Sequence, residues 1–197
     1  MIQDKKKALD HATKYSYQAA RIQKVQEGSD IDRDCSNDPI VRALINPDKL
    51  KFDYDQKILS VGFEHGFTPG DIFSWDRTNS YWIITGQDLD EIGYFRGPIR
   101  RCVYKIRWVD ENEQEHYVWC AVRGPVETKI DDYDRHNILF NDPNYSLDIY
   151  MPKNPLTMQR FRRYDKFYLM NADEPDDKIC WRVEATDSIS TPGVLEI

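Results

Sequence analysis

The fold class is decided by the stretch Cys102-Val103-Tyr104-Lys105-Ile106-Arg107-Trp108, the polar segment 110–114 after it, and the stretch Tyr117-Val118-Trp119-Cys120-Ala121-Val122. In the first stretch every second residue from Cys102 to Trp108 is apolar or aromatic, which is the periodicity of a strand with one buried face. Two such stretches joined by a short polar segment are typical of a β-hairpin. The sequence therefore predicts a hairpin at its centre.

The same alternation, broken by turn residues at short intervals, continues from about Leu50 to the C-terminus. A second hairpin is predicted from 166–170 to 179–185, and residues 145–151 alternate as a further strand. The segment 155–164 interrupts this pattern and predicts one short inserted helix. The expected fold is mainly β, a small β-barrel or sandwich over residues 51–197.

Residues 1–50 follow a different pattern and predict a helical N-terminal arm. Apolar residues recur at steps of three and four before Gly28, which predicts one amphipathic helix over 2–27. These residues are Leu9, Ala12, Tyr15, Ala19, Ile22 and Val25. Asp38 in the N-cap position and Pro39 after it predict a short second helix that ends at Asn46-Pro47. The narrow stripe of the first helix suits packing against a partner or against its own domain.

The net charge of the chain bears on whether it binds DNA. The chain has 27 Lys and Arg against 34 Asp and Glu, a net charge of −7, which argues against stable binding of duplex DNA. Residues 1–27 carry a net charge of +3, so the remainder carries −10. The basic arm either docks on an acidic partner surface or is a Lys-rich helix face in solvent.

No pattern of residues indicates catalysis or a metal. The chain lacks the common hydrolase, zinc-protease and nucleotide-binding motifs, and its four histidines and four cysteines have no ligand spacing. Its acidic groups lie in turn-like segments typical of solvated carboxylates. We therefore expect no enzyme activity, no cofactor and no metal, and free thiols in a reducing cytoplasm. No stretch is long and apolar enough to cross a membrane.

Arginines and large aromatic residues instead indicate an interface, because these residue types concentrate in the energetic centres of protein contacts. The residues predicted to contact a neighbouring subunit are Arg96, Arg100, Arg101, Arg123, Tyr15, Ile22, Tyr94 and Phe95. The repeated tripeptides at 96–98 and 123–125, both Arg-Gly-Pro, are expected to break the β-ladder and to bring Arg96 and Arg123 to one rim. Ordinary ion pairs and bidentate contacts to a neighbouring subunit are both open for these arginines.

An alternative function is an OB-like module that binds single-stranded nucleic acid. Its stacking platform would be the aromatic run Trp75, Tyr81, Trp82, Tyr94 and Phe95. Because stacking platforms normally lie in a positive groove, the acidic remainder of the chain favours a core or interface role for these rings.

Five segments together resemble a family of tailed-bacteriophage virion proteins: Val41–Pro47, Pro69–Trp75, Thr78–Trp82, Tyr94–Cys102 and Ser188–Ile197. The resemblance covers most of the chain and implies a neck component of the head–tail connector, similar to head-closure (stopper) proteins. It implies a homo-oligomeric ring next to portal, adaptor or tail proteins, with duplex DNA passing through without stable binding. The implied location is the virion neck, after assembly in the host bacterial cytoplasm, and the family has no catalytic residues to carry over.

Overall fold

The computed structural model of the chain describes residues 2–16, 18–25, 39–47, 55–88, 93–109, 113–123, 147–171 and 178–197. These residues form a closed six-stranded barrel, a second six-stranded sheet, an N-terminal helix and one short helix. The prediction of a mainly β fold with a barrel, an N-terminal helix and one short inserted helix is confirmed.

The described part of the chain contains two α-helices and twelve strands, six in the barrel and six in the second sheet. The helices are α1 (Ile2–Tyr15) and α2 (Pro155–Arg160). The barrel strands are β1 (Ala19–Val25), β2 (Val41–Pro47), β3 (Gln56–Val61), β4 (Ile72–Trp75), β5 (Ser80–Ile84) and β6 (Phe95–Cys102). The strands of the second sheet are β7 (Tyr104–Val109), β8 (Glu115–Arg123), β9 (Asp148–Pro152), β10 (Lys166–Asn171), β11 (Lys178–Arg182) and β12 (Val194–Glu196).

The barrel closes because its first strand pairs on both sides. The strand order is β1-β2-β3-β6-β5-β4, and β4 pairs antiparallel with β1 in the register Ile22↔Trp75. Alternate residues of each strand point inward and fill the interior with apolar side chains. These include Ile22, Ala43, Ile45, Leu59, Val61, Phe73, Trp82, Ile84, Phe95 and Ile99.

The second sheet has the order β11-β10-β7-β8-β9-β12 and contains both predicted hairpins. The central hairpin pairs β7 with β8 in the register Ile106↔Val118, and the second pairs β10 with β11 in the register Leu169↔Ile179. The predicted central strand is divided, however: Cys102 ends the barrel strand β6, and β7 begins at Tyr104. One face of the sheet buries its own core, into which Phe161, just after α2, packs.

Barrel and second sheet share a third apolar cluster, which is why β8 is buried on both faces near its C-terminal end. Trp119 and Ala121 of β8 pack against Ile72 and Ile83 on the outer surface of the barrel. The ring of Trp119 also stacks on that of Tyr81, with 4.5 Å between centroids. This contact joins the two sheets.

The N-terminal region contains the main errors of the sequence analysis. The predicted helix over 2–27 ends at Tyr15, and Ala19–Val25 is strand β1; residues 26–27 lie outside the described part. The second predicted helix is also wrong, because Val41–Pro47 is strand β2, with Val41, Ala43 and Ile45 facing the interior. Steps of two and of three to four both fit such short apolar runs, and pairing with distant strands selects the extended form.

Helix α1 lies against strands β1 and β2 on the outside of the barrel. Leu9 and Thr13 are its buried side chains among those described, and Lys6 forms an ion pair with Glu64 at 3.3 Å. The helix therefore packs on its own barrel, which is one of the two arrangements predicted from its apolar stripe; the other was packing against a partner. Neither helix in the described part of the chain is long and apolar enough to cross a bilayer.

Candidate functional site

A cleft lies on the outer face of β2, β3 and β6, between helix α1 and residues 85–88. It consists of two adjoining cavities of about 710 Å³ and about 400 Å³ that share Asn46 and Arg96. Ile58 and Pro98 line the larger cavity, and Leu9 and Tyr94 line the smaller one. We call this surface the Arg96 cleft.

The wall at residues 85–88 is held against β6 by backbone hydrogen bonds. The Thr85 N–H donates to the Pro98 carbonyl at 2.9 Å, and the Asp88 N–H donates to the Arg96 carbonyl at 2.7 Å. A Cβ on Gly97 would lie 2.2 Å from the Gly86 carbonyl oxygen, so this crossing requires glycine. The expectation that Gly97-Pro98 breaks the ladder is wrong, because β6 pairs with β3 through both residues.

Arg96 lies where the two cavities meet. Its Nη1 is 3.6 Å from Asp88 Oδ2, and its side chain is partly exposed to solvent. The side-chain amides of Gln18, Asn46 and Gln87 also line the larger cavity. A cavity lined by a guanidinium, these three amides and the apolar side chains of Ile58 and Pro98 suits a segment of another protein that carries both polar and apolar groups.

Arg100, by contrast, is an internal residue. It is only 8% exposed, and its Nη2 donates a hydrogen bond of 2.8 Å to Gln56 Oε1. Its guanidinium carbon lies 5.7 Å from the ring centroid of Tyr150 in β9. Arg100 therefore bridges the barrel and the second sheet within one chain, and its predicted contact with a neighbour is wrong.

Arg123 belongs to the same internal cluster and not to the Arg96 cleft. Burial raises the pKa of Tyr150 in β9, and a hydrogen bond between the side chains of Arg123 and Tyr150 offsets part of that rise. Burial, followed by the charge of Asp148, also raises the pKa of Glu196 in β12. Arg123 does not line the Arg96 cleft, and the common rim predicted for Arg96 and Arg123 stays a prediction. Gly124 and Pro125 lie outside the described residues.

The other predicted interface residues divide into exposed and buried. Arg101 is exposed, 4.0 Å from Asp55, and Tyr15 is 75% exposed at the end of α1. Ile22 and Phe95 fill the barrel interior and cannot reach a neighbouring subunit. Trp82 and Phe95 of the predicted stacking platform are buried and cannot stack on bases, and Trp75 packs against the same core.

A second exposed surface was missed by the sequence analysis. Leu156 and Met158 are exposed on α2, and Ile189 is 88% exposed in the bend between β11 and β12. Lys153 ties the two together, because its Nζ donates to the Ser188 carbonyl at 2.7 Å. We call the three exposed apolar side chains Leu156, Met158 and Ile189, on the two segments that this hydrogen bond joins, the apolar ridge. Only the apolar residues within the polar segments at 155–160 and 186–192 could have indicated it.

The ridge is held by local hydrogen bonds. Asn154 caps α2 by accepting from the Thr157 N–H at 2.9 Å, and the Ile189 N–H donates to Asp187 Oδ1 at 2.8 Å. The Ser190 side chain and backbone also donate to Asp187, which lowers the pKa of this carboxyl to about 2. Asp187 therefore stays ionised and keeps the turn in shape.

The part of the chain that the structure describes contains no group of three His, Cys, Asp or Glu residues placed to hold a metal ion. Burial raises the pKa of the Cys102 and Cys120 thiols, which keeps them protonated and unreactive. Cys180 is exposed, and Cys35 lies outside the described residues.

Comparison with protein-family models, with curated proteins and with solved structures finds no match to this chain.

Proposed function

We propose that this protein is a structural subunit of a tailed-bacteriophage neck. In this proposal copies of the chain form a ring between head and tail, as a head-closure or adaptor component next to portal, adaptor or tail proteins. The ring lines the channel for duplex DNA and has no catalytic role. The observation that carries the proposal is the pairing of a polar cleft on one sheet with an apolar ridge on the other.

Two unlike surfaces are what a ring requires. A closed ring with cyclic symmetry beyond two-fold uses heterologous contacts, in which one patch of a subunit meets a different patch of the next. The Arg96 cleft lies on the barrel, and the apolar ridge lies beside the core of the second sheet. The apolar lining of the cleft, Ile58, Pro98 and Leu9, suits the apolar ridge. The ridge of one copy can therefore dock on the cleft of the next without either surface having to match itself.

The net charge supports the proposed relation to DNA. A chain with a net charge of −7, repeated around a ring, gives a channel to which duplex phosphates do not adhere. We expect the purified protein to leave duplex DNA unbound at physiological salt in a filter-binding assay. Retention at micromolar concentration or below would contradict this part of the proposal.

The contact between copies is tested with two variants that each remove one surface. Arg96→Ala with Tyr94→Ala weakens the cleft, and Leu156→Asp with Met158→Asp places charges on the ridge. The oligomeric state of each is measured by sedimentation and electron microscopy. We expect rings of the wild type, monomers of each variant alone, and a 1:1 dimer in the mixture, because the mixture keeps one intact contact.

Matched controls are Arg42→Ala, an exposed arginine of β2 outside the cleft, and Val109→Asp, an exposed apolar residue at the end of β7. Both controls should still form rings. A symmetric dimer of the wild type, or mixtures that stay monomeric, would refute the heterologous contact. Antibody labelling away from the head–tail junction of particles that carry this protein would refute the neck location.

A further inference from the structure

Helix α1 leaves a gap between itself and the barrel. The smaller cavity of the Arg96 cleft, of about 400 Å³, is lined from the helix by Lys5, Ala8, Leu9 and Ala12. These positions follow the spacing i, i+3, i+4 and i+7, which is the face that a surface helix normally packs on its own domain. Two of the four side chains are single methyl groups, so this face leaves the space unfilled. We call this cavity the α1 pocket.

The rest of the pocket lining combines apolar and polar side chains. Leu44 of β2 adds apolar surface, and Asn46, Ser60 and Tyr94 add groups that form hydrogen bonds. Ala8 is exposed and Ala12 is partly exposed. The two alanines are therefore accessible from outside, and the pocket suits an apolar side chain that has polar groups around it.

The apolar ridge carries a side chain of this kind. Ile189 is 88% exposed, the highest value for a large apolar side chain in the described part of the chain. Its neighbours in sequence are Ser188, Ser190 and Thr191. An isoleucine among hydroxyl groups matches a pocket with apolar and hydrogen-bonding lining, because the centre of a protein interface is apolar and its rim is polar.

The segment that presents Ile189 is fixed at both ends. The Asp187 N–H donates to the Glu196 carbonyl at 2.8 Å, and the Lys153 N–H donates to the Gly193 carbonyl at 2.9 Å. Together with the bond from the Ile189 N–H to Asp187 Oδ1, these bonds set the position of Ile189 before any partner binds. A side chain on a fixed segment loses little conformational freedom when it enters a pocket.

We propose that Ile189 of one copy inserts into the α1 pocket of the next, and that Ala8 and Ala12 determine which side chain the pocket accepts. The inserted side chain contacts Leu9 and Leu44 and covers the two alanines. The inference rests on the proposed contact between cleft and ridge. It adds the pocket, the side chain that fills it and the residues that set its size.

The contact is measured between two complementary copies of the full chain, so that each pair contains one cleft and one ridge. The cleft copy carries Leu156→Asp with Met158→Asp, and the ridge copy carries Arg96→Ala with Tyr94→Ala. Titration of one into the other, followed by calorimetry, gives the dissociation constant of the 1:1 complex. We call these two proteins the parent copies.

The pocket is tested by filling it. Ala12→Leu in the cleft copy should weaken the complex roughly 30-fold, the equivalent of one lost anchor side chain. Its urea denaturation should be unchanged, because alanine and leucine both favour the helix. Ala8→Leu is a second filling variant. The matched control is Lys7→Leu, which adds the same side chain to an exposed position of α1 outside the pocket and should bind as the parent cleft copy does.

The inserted side chain is tested on the other protein. Ile189→Ala in the ridge copy should also weaken the complex roughly 30-fold. Its control is Ile40→Ala, at an exposed isoleucine outside both surfaces, which should bind normally. Against a cleft copy with Ala12→Leu, Ile189→Ala should have little further effect, because the filled pocket already excludes the isoleucine.

Two results would overturn the inference while the parent copies still associate. One is unchanged affinity of correctly folded Ala12→Leu and Ala8→Leu cleft copies. The other is full additivity of Ala12→Leu and Ile189→Ala, which would place the two residues in separate contacts. In both cases the proposed function would stand. Absence of any complex between the parent copies would refute the proposed contact of cleft and ridge, and this inference with it.

Discussion

The backbones of Gly70 and Gly193 cross so closely that neither position has room for a side chain. A Cβ on Gly193 would lie 2.0 Å from the Pro69 carbonyl oxygen, and one on Gly70 would lie 1.8 Å from the Gly193 carbonyl oxygen. Both glycines also have positive φ, +82° and +90°. The crossing attaches the turn before β12 to the barrel, so substitution by alanine should loosen the C-terminal strand from the rest of the molecule.

We expect Gly193→Ala to lower the free energy of unfolding by about 2–5 kcal/mol. An alanine in the left-handed region costs about 1–2 kcal/mol, and relieving an overpacked contact costs about 1–3 kcal/mol. Urea denaturation followed by tryptophan fluorescence measures the change. Because most proteins are stable by about 5–15 kcal/mol, the variant should remain folded in the absence of denaturant.

Gly66→Ala is the matched control. Gly66 also has positive φ, +63°, but no atom lies within 4 Å of its Cβ position, so only the backbone strain of about 1–2 kcal/mol applies. The Gly70→Ala, Gly193→Ala double variant should lose less free energy of unfolding than the sum of the two single variants, because both substitutions disrupt the same backbone crossing. Equal losses for Gly66→Ala and Gly193→Ala would refute the argument from close approach.

Three further predictions concern the fold and its internal polar cluster. Arg100→Ala should lower the free energy of unfolding by about 2–3 kcal/mol, because it removes the buried, charged hydrogen bond to Gln56. The control Arg101→Ala, at an exposed arginine, should cost about 0–1 kcal/mol. Urea denaturation of both variants measures the difference. Burial raises the pKa of Glu196 above its ordinary 4.5, so the folded state keeps the proton to a higher pH than the unfolded chain. Wild-type stability should therefore fall as pH rises from 4.5 through the raised pKa, and Glu196→Gln should gain relative to wild type over that window in denaturation series at several pH values; a constant difference would contradict the assignment. Deletion of residues 2–15 should leave a cooperatively folded protein, but deletion of 2–27 removes β1 and should abolish the cooperative transition; normal melting of the longer deletion would contradict the closure of the barrel through β1.

Local alternation determined much of this fold. The β7–β8 and β10–β11 hairpins each join strands that are adjacent in sequence, with polar residues between them, and the apolar residues of each strand then lie on one face. The short helix α2 begins at Pro155, directly after the N-cap Asn154, and its start depends on residues within four positions of one another. Such features are predictable because their stabilising contacts are local.

The tertiary structure decided what depends on distant partners. Residues 19–25 fit a helix as well as a strand, and pairing with β4, some fifty residues later in the chain, selects the strand and closes the barrel. The same long-range packing turns Phe95 inward, gives Arg100 an internal partner in Gln56, and leaves Arg96 at the cleft, although all three lie within one strand. The sequence specifies which residues alternate along a strand. Which face of the strand is buried, and which residues cover it, depends on strands that come together only when the chain folds.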